Sequence, residues 1–454
     1  MPYASLNPAT SQLIQTHASW DAKHLDQALA QAHRAQQAWA QTTLPGRAEV
    51  LRKAASQLLI QRDHYASLIT LEMGKPLREA RAEVEKCATV CDYYAQHAEE
   101  FLCAEAVASD AASSYVAHYP LGVVLAIMPW NFPFWQVFRA AAPALMAGNA
   151  LALKHAPNVP QCALAIETLF HECGLPHGVF TSLMIEVELA AETIASPHVH
   201  AVTLTGSEAA GRKVAALAGQ HLKKCVLELG GSDPFIVLHD ADMEHTVNMA
   251  VASRFLNCGQ SCIAAKRFIL VPEIADEFLD LFKARVEALV VGDPMDEATQ
   301  IGPMARLDLR DELHNQISDS IALGAVAVTG CHPGEGAGFF YRPSILDQVT
   351  PATRAYHEEL FGPVAIVIRA DDEDDALRIA NASRFGLGSS IWSRDTARAE
   401  QLAARIEAGC TFINGMVKSD PRLPFGGVKA SGFGRELSRL GMHEFVNAKT
   451  VWIK

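Results

Sequence analysis

Hydrophobic positions recur with one spacing near the start of the chain and another beyond it, and the change marks where helix gives way to sheet. Within residues 21–104, Leu25, Leu29, Ala32 and Trp39 repeat about every 3.6 residues, as do Val50, Ala54 and Leu58, which is an apolar stripe along a helix. Gly74 and Pro76 interrupt the pattern. A longer stripe then runs through Ala80, Val84, Cys87, Cys91, Tyr94, Ala98 and Phe101, which suits a helix laid across a sheet.

After Tyr115 the texture changes to short apolar runs at residues 123–127, 150–154, 201–204, 226–229, 235–238 and 268–271, with helical stretches between them. Short buried strands alternating with helices predict an α/β fold built on parallel sheet. A second series runs from Val326 through 364–368 and 389–392 to 409–413, with helices expected over 372–382 and 396–407. A second α/β unit is therefore expected over 230–433, joined to the first near Gly230-Gly231. The tail from Glu444 to Lys454 carries Val446, Val451, Trp452 and Ile453. It reads either as the last strand of the chain's own sheet or as one completed by another element or subunit.

A length of 454 residues exceeds a single core and predicts two or three domains. The formal charge of −13 argues against nucleic acid as a partner, because phosphate binding needs clustered Lys and Arg. The start, Met1-Pro2-Tyr3-Ala4, lacks the basic and apolar runs of a signal peptide, and no stretch reaches about 18 consecutive apolar residues. No membrane partner and a cytoplasmic location are expected. Ten cysteines without a Cys-x-x-Cys spacing fit neither a disulfide scaffold nor a zinc site, so no metal is expected. Most of them, including Cys87 and Cys91, read as small buried hydrophobes.

Cys262 differs from these, because Asn257-Cys258-Gly259-Gln260-Ser261-Cys262 lies between a helical run and a strand. A loop cysteine can meet a ligand, so Cys262 is either a nucleophile or a structural loop residue. Glu228, flanked by Leu227 and Leu229 before Gly230-Gly231, sits where desolvation raises a carboxyl pKa. It is either a general base or half of a structural ion pair. Asn131, in Pro129-Trp130-Asn131-Phe132-Pro133, follows a strand end and offers a fixed amide to an oxyanion or a cap to a turn. Gly206-Ser207 opens a helix carrying Gly211, as a phosphate cradle or as a plain serine cap.

Taken in order, seven stretches resemble the aldehyde dehydrogenase superfamily along nearly the whole chain: Pro129 to Pro133, Lys154, Gly206-Ser207, Glu228-Leu229-Gly230-Gly231, Gly259-Gln260-Ser261-Cys262, Glu359-Leu360-Phe361-Gly362-Pro363, and Pro424-Phe425-Gly426-Gly427 through Gly434-Arg435-Glu436. The stretches beginning at Leu153 and Leu222 look like the short bacterial succinate-semialdehyde dehydrogenases in particular. The resemblance implies a Rossmann-like cofactor domain over 1–106 and 123–229, a catalytic domain over 230–433, and a small β oligomerisation extension from 107–122 and 434–454. A homodimer or homotetramer is implied with it.

Carried over residue by residue, the resemblance makes Cys262 the nucleophile, Glu228 the base that activates water, and Asn131 an oxyanion donor with the Cys262 backbone N–H. Lys154 and Glu359 would hold the ribose hydroxyls of NAD or NADP, Ser207 a phosphate, and Phe361 the nicotinamide, with Trp130, Pro157, Gly206 and Leu229 in the same site. The implied chemistry is thiolate attack on an aldehyde, hydride transfer to the dinucleotide, and hydrolysis of the acyl thioester. Arg139 and Ser419 would receive the far carboxylate of succinate semialdehyde, Arg139 being alternatively a surface residue paired with an acid.

Pro157 stands where many NAD-preferring relatives carry a glutamate, so Lys154 should tolerate either cofactor, with NAD placed first. Cys258, one helical turn before Cys262, is either a packing residue or the partner for a reversible disulfide. Rival activities are a broad-specificity or glutarate-semialdehyde dehydrogenase and an acyl transferase to coenzyme A, which Glu228 argues against. A retired dehydrogenase serving as a binding protein is disfavoured by the intact Cys262, Glu228 and Asn131.

Overall fold

The computed structural model describes residues 3–454; Met1 and Pro2, part of the N-terminal stretch considered above, lie outside the described residues. Four helices, Ala22–Ala40, Leu44–Ile60, Arg62–Met73 and Leu77–Leu102, fill the region where the helical period was read. Gly74 ends the third in a left-handed conformation, φ +79°, and Pro76 immediately precedes the fourth. Their apolar stripes pack into one hydrophobic cluster with the first sheet.

That sheet has six strands in the order Gly432–Phe433, Lys224–Glu228, Val199–Thr205, Val123–Met128, Ala150–His155 and Phe180–Ser182. All run parallel except the glycine-led edge strand. Chain order reverses between Val123–Met128 and Val199–Thr205, which pair side by side. A reversal of this kind opens a crevice at the carboxyl ends of the two strands. Asn131 and Ser207 follow those two ends directly.

The second sheet has seven strands, in the order Val326–Thr329, Ser344–Asp347, Val364–Arg369, Ala265–Leu270, Asp233–Val237, Gly388–Trp392 and Cys410–Ile413. Only the Val326–Thr329 edge is antiparallel. A second hydrophobic cluster, drawn from residues between Phe235 and Leu402, covers it. Glu228 ends a strand of the first sheet and Gly230-Gly231 leads into Asp233 of the second, so the carboxyl ends of one sheet meet the amino ends of the other.

The tail strand Val446–Ile453 pairs antiparallel with Ser113–Pro120 of the same chain, Val446 opposite Pro120 and Ile453 opposite Ser113. Glu105–Ala106 completes a three-stranded sheet. Just before that strand, Leu437, Met442 and Phe445 pack into the first core. An N-terminal hairpin, Tyr3–Asn7 with Gln12–His17, was not expected; its second strand is almost wholly exposed and carries no apolar alternation. No helix among the described residues is long and apolar enough to cross a membrane.

Candidate active site

Cys262 lies three residues before the strand Ala265–Leu270 and is partly buried in the wall of a cavity of about 350 Å³. Lys266, the second residue of that strand, reaches back to donate to the carbonyls of Ser261 at 2.9 Å and Cys262 at 2.8 Å. It thereby pins the loop from behind. Burial pushes the Cys262 thiol up to about 12, against the pull of Arg139 and Lys266. The thiol is therefore protonated at neutral pH, and attack requires its proton to leave.

The helical spacing expected between Cys258 and Cys262 does not form. Asn257, Cys258 and Gly259 have φ of +55°, +53° and +68°, three left-handed residues in succession. The Asn257 N–H donates to Glu79 Oε2 at 2.7 Å, and its Nδ2 donates to the Asn131 carbonyl at 2.8 Å and the Gln260 carbonyl at 3.1 Å. These partners replace the helical ladder, and strain of this kind persists only where the surroundings over-determine it. Cys258 is buried and packs into the second core, whereas Cys262 packs against the first. Both thiols are free.

Glu228 is buried, and neither of its carboxylate oxygens has a hydrogen-bond partner. Burial pushes its pKa well above the ordinary range, the neighbouring Glu436 adds to the rise, and Arg139 and Arg435 oppose it. Gly426 has φ +158° and stands 2.7 Å from Glu228 Oε1 at the place a Cβ would occupy, so a larger residue there would displace the carboxylate. Glu436 belongs to a motif quoted from the sequence without a role; it forms a buried ion pair with Arg139. Arg139 Nη2 donates to Thr205 Oγ1 at 3.2 Å, and its guanidinium lies 4.8 Å from the Phe425 ring. Arg139 lines the cavity, but it is a buried arginine paired with Glu436 and not a surface one.

Asn131 is 4% exposed and follows the strand Val123–Met128. Its Nδ2 donates to the Gln260 carbonyl at 3.0 Å, two residues before Cys262, while Oδ1 has no partner. Its backbone carbonyl also accepts from Lys75 Nζ at 3.0 Å. Lys75 forms a buried ion pair with Glu83, and Glu83 Oε1 accepts from the N–H groups of Phe134 and Trp135 at 2.9 and 3.0 Å. That carboxylate caps the start of the helix Trp135–Met146, which carries Arg139. Lys75 and Glu83 were not picked out from the sequence. The available signal was an acid on an apolar stripe, Glu83 lying between Ala80 and Cys87.

The residues assigned to a dinucleotide gather at the carboxyl ends of the first sheet. Ser207 caps the helix Glu208–Gln220, its hydroxyl accepting from the Ala210 N–H at 3.3 Å. A Cβ on Gly206 would meet nothing closer than 3.7 Å, so the turn is open on that side. Within the helix, Gly211 lets Leu229 approach to 2.5 Å of where its Cβ would be. Lys154 donates to the His155 carbonyl at 3.2 Å, and burial lowers its ammonium to about 8, against the pull of Glu188 and Glu186. Pro157 accepts from the Ala4 N–H at 3.2 Å, which ties the N-terminal hairpin to this edge.

Glu359 lies over the Gly230-Gly231 turn, accepting from the Gly231 N–H at 3.1 Å and paired with Lys266 at 3.3 Å. Trp130 and Phe361 meet edge to face, with centroids 5.8 Å apart. An open helix start, the buried Lys154 ammonium, a carboxylate over the Gly230-Gly231 turn and a pair of aromatic rings suit a phosphate, a ribose diol and a flat ring. These residues fit a nicotinamide dinucleotide. Ser419 is buried in the cavity wall, where its hydroxyl accepts from Lys86 Nζ at 2.7 Å.

Residues 1–451 match the aldehyde dehydrogenase family. The chain belongs to that family. It is 50% identical to "Probable succinate-semialdehyde dehydrogenase (NADP(+))" of Synechocystis sp., over 100% of both chains. It is 49% identical to the succinate semialdehyde dehydrogenase (NAD(P)+) Sad of Escherichia coli, over 99% of this chain and 97% of that one. Among solved structures, it is similar to the succinic semialdehyde dehydrogenase of Streptococcus pyogenes in complex with NADP+. The TM-score is 0.98 at 38% identity, covering 99% of each chain. The α/β, Rossmann-like architecture expected from the sequence is the aldehyde dehydrogenase fold of these relatives.

Proposed function

We propose that this aldehyde dehydrogenase oxidises succinate semialdehyde to succinate with NADP or NAD. The observation that carries the reading is one cavity that holds the Cys262 thiol and is lined by five cationic side chains, Lys75, Arg78, Lys86, Arg139 and Lys418, against two acids, Glu79 and Glu83. An aldehyde with a distal carboxylate matches that excess of positive charge. The names of the relatives point to the same substrate.

In this reading the Cys262 thiol gives up its proton to cavity water, the sulfur adds to the aldehyde carbon, and Asn131 Nδ2, held beside the loop, donates to the oxyanion that forms. A nicotinamide dinucleotide, when bound, supplies the acceptor for the two electrons. Lys154 and Glu359 would hold its ribose hydroxyls, the Gly206-Ser207 turn would take a phosphate, and Trp130, Leu229 and Phe361 would wall the ring. Pro157 presents no carboxylate to repel a 2′-phosphate beside the Lys154 ammonium. Together with the NADP named for two of the relatives, this favours NADP, reversing the order expected from the sequence. Glu228 then takes a proton from water as the acyl thioester is hydrolysed.

The division at residue 230 into cofactor and catalytic domains, a cytoplasmic location, and self-association through the Ser113–Pro120 and Val446–Ile453 sheet complete the proposal. The test is a panel of succinate semialdehyde, glutarate semialdehyde and butanal with both dinucleotides. A preference of at least about tenfold in kcat/KM for succinate semialdehyde over butanal is expected, since a hydrogen bond to a charged group contributes about 1.5–3 kcal/mol. Butanal turned over equally well would overturn the substrate assignment.

A further inference from the structure

The cationic side chains of the cavity are not equivalent. Lys75 is closed on Glu83, and Arg139 on Glu436 and Thr205. Arg78 and Lys418 are exposed to solvent at the rim. Lys86 is half-buried on the helix Leu77–Leu102, and among the described residues it has no carboxylate within the 4.0 Å reach of an ion pair. Its Nζ donates to Ser419 Oγ at 2.7 Å and lies 4.1 Å from the Trp135 ring centroid. Neither neighbour neutralises it, although a ring face partly offsets the cost of desolvating an ammonium.

We propose that Lys86, with Ser419 oriented by it, holds the distal carboxylate of the substrate and is the specificity-determining cation of this cavity. Ser419 Oγ accepts from Lys86, which leaves the serine hydroxyl proton free to donate. The ammonium has three donors and uses one on Ser419, so lysine and serine together present converging donors to one anion. Trp135, buried at the start of the helix Trp135–Met146, fixes the ammonium from the side. Burial and the nearby Arg139 lower Lys86 to about 8, against Cys87, Glu83 and Asp420, the condition of a cation short of counter-charge. A bound carboxylate supplies what is missing. Arg139 also lines the cavity, with its charge shared with Glu436 and Glu228.

The inference rests on the succinate semialdehyde reading, and the experiment separates the two. Lys86→Met keeps length and apolar bulk without charge; Lys86→Arg keeps the charge; Lys86→Gln serves if the methionine variant unfolds early in a thermal melt. Each is assayed with succinate semialdehyde and butanal, and succinate affinity is measured by calorimetry. In Lys86→Met, KM for succinate semialdehyde should rise about tenfold or more with kcat changed far less, as expected on losing a charged hydrogen bond. The preference over butanal should fall by a like factor, and succinate binding should weaken with it. Lys86→Arg should recover most of the preference. A wild-type ratio in Lys86→Met, or equal losses on both aldehydes, overturns this role while leaving the substrate reading intact. A wild-type enzyme without the preference overturns the substrate reading itself.

Discussion

At the residue scale, the proposed chemistry depends on two groups whose pKa values burial moves upward. The Cys262 thiol is pushed up to about 12, and burial raises the Glu228 carboxyl well above its usual range. A carboxyl with a raised pKa loses its base form as pH falls through that raised value. The acid limb of the steady-state rate should therefore lie well above the ordinary glutamate value of about 4.3. Glu228→Gln should abolish hydrolysis while leaving a first-turnover burst of reduced dinucleotide, measured by stopped-flow absorbance; loss of the burst as well would assign Glu228 elsewhere. Asn131→Ala should lower kcat about 10²–10³-fold, the usual consequence of removing one oxyanion donor. A loss under about fivefold would mean that its bond to the Gln260 carbonyl is its whole function. Cys262, Glu228 and Asn131 could be singled out in the sequence as candidates because each sits at a loop or strand end marked by glycine or proline. Glu436 and Lys86 were not, because what sets them apart is that Glu436 meets an arginine 297 residues away in the chain while Lys86 meets only a hydroxyl 333 residues away, and that is a property of packing.

At the scale of elements, the helix Leu77–Leu102 does more than cover the sheet. One of its turns carries Glu83, which neutralises Lys75 and caps the helix Trp135–Met146, and the next brings Lys86 to Ser419. Removing one member of a buried ion pair leaves the other uncompensated, at about 3–5 kcal/mol. Glu83→Ala should accordingly lower the urea midpoint of unfolding by the equivalent of several kcal/mol, and should cost more than Arg62→Ala, whose partners are exposed. Similar midpoints for the two variants would contradict that account. The central strands of both sheets, such as Val123–Met128, Ala150–His155, Ala265–Leu270 and Val364–Arg369, were legible as short apolar runs because they are buried on both faces. The N-terminal hairpin, Phe180–Ser182 and Ser344–Asp347 were not: the hairpin's second strand is exposed, and the other two are three and four residues long. The reversed backbone at Asn257 and Cys258 could not be read either, since it depends on Glu79, Asn131 and Gln260 converging on Asn257.

At the scale of the molecule, the sheet formed by Ser113–Pro120 and Val446–Ile453 exposes Tyr119, Trp452 and Ile453. The tail strand pairs on one side only, leaving an edge of unpaired backbone groups beside large apolar side chains. Such an edge is a template for another strand. A second copy is the economical occupant, because the chain then supplies both surfaces. A formal charge of −13 on each subunit opposes association, so screening by salt should favour it. Trp452→Asp places a charge in the apolar patch far from Cys262 in sequence and outside the cavity lining. Light scattering at micromolar concentration should then report a mass shifted towards the monomer, and wild type should be the larger species, the more so at higher ionic strength. If wild type itself runs as a monomer under both conditions, the exposed strand does not serve to join subunits; if Trp452→Asp keeps the wild-type mass, the contact between subunits lies on another face.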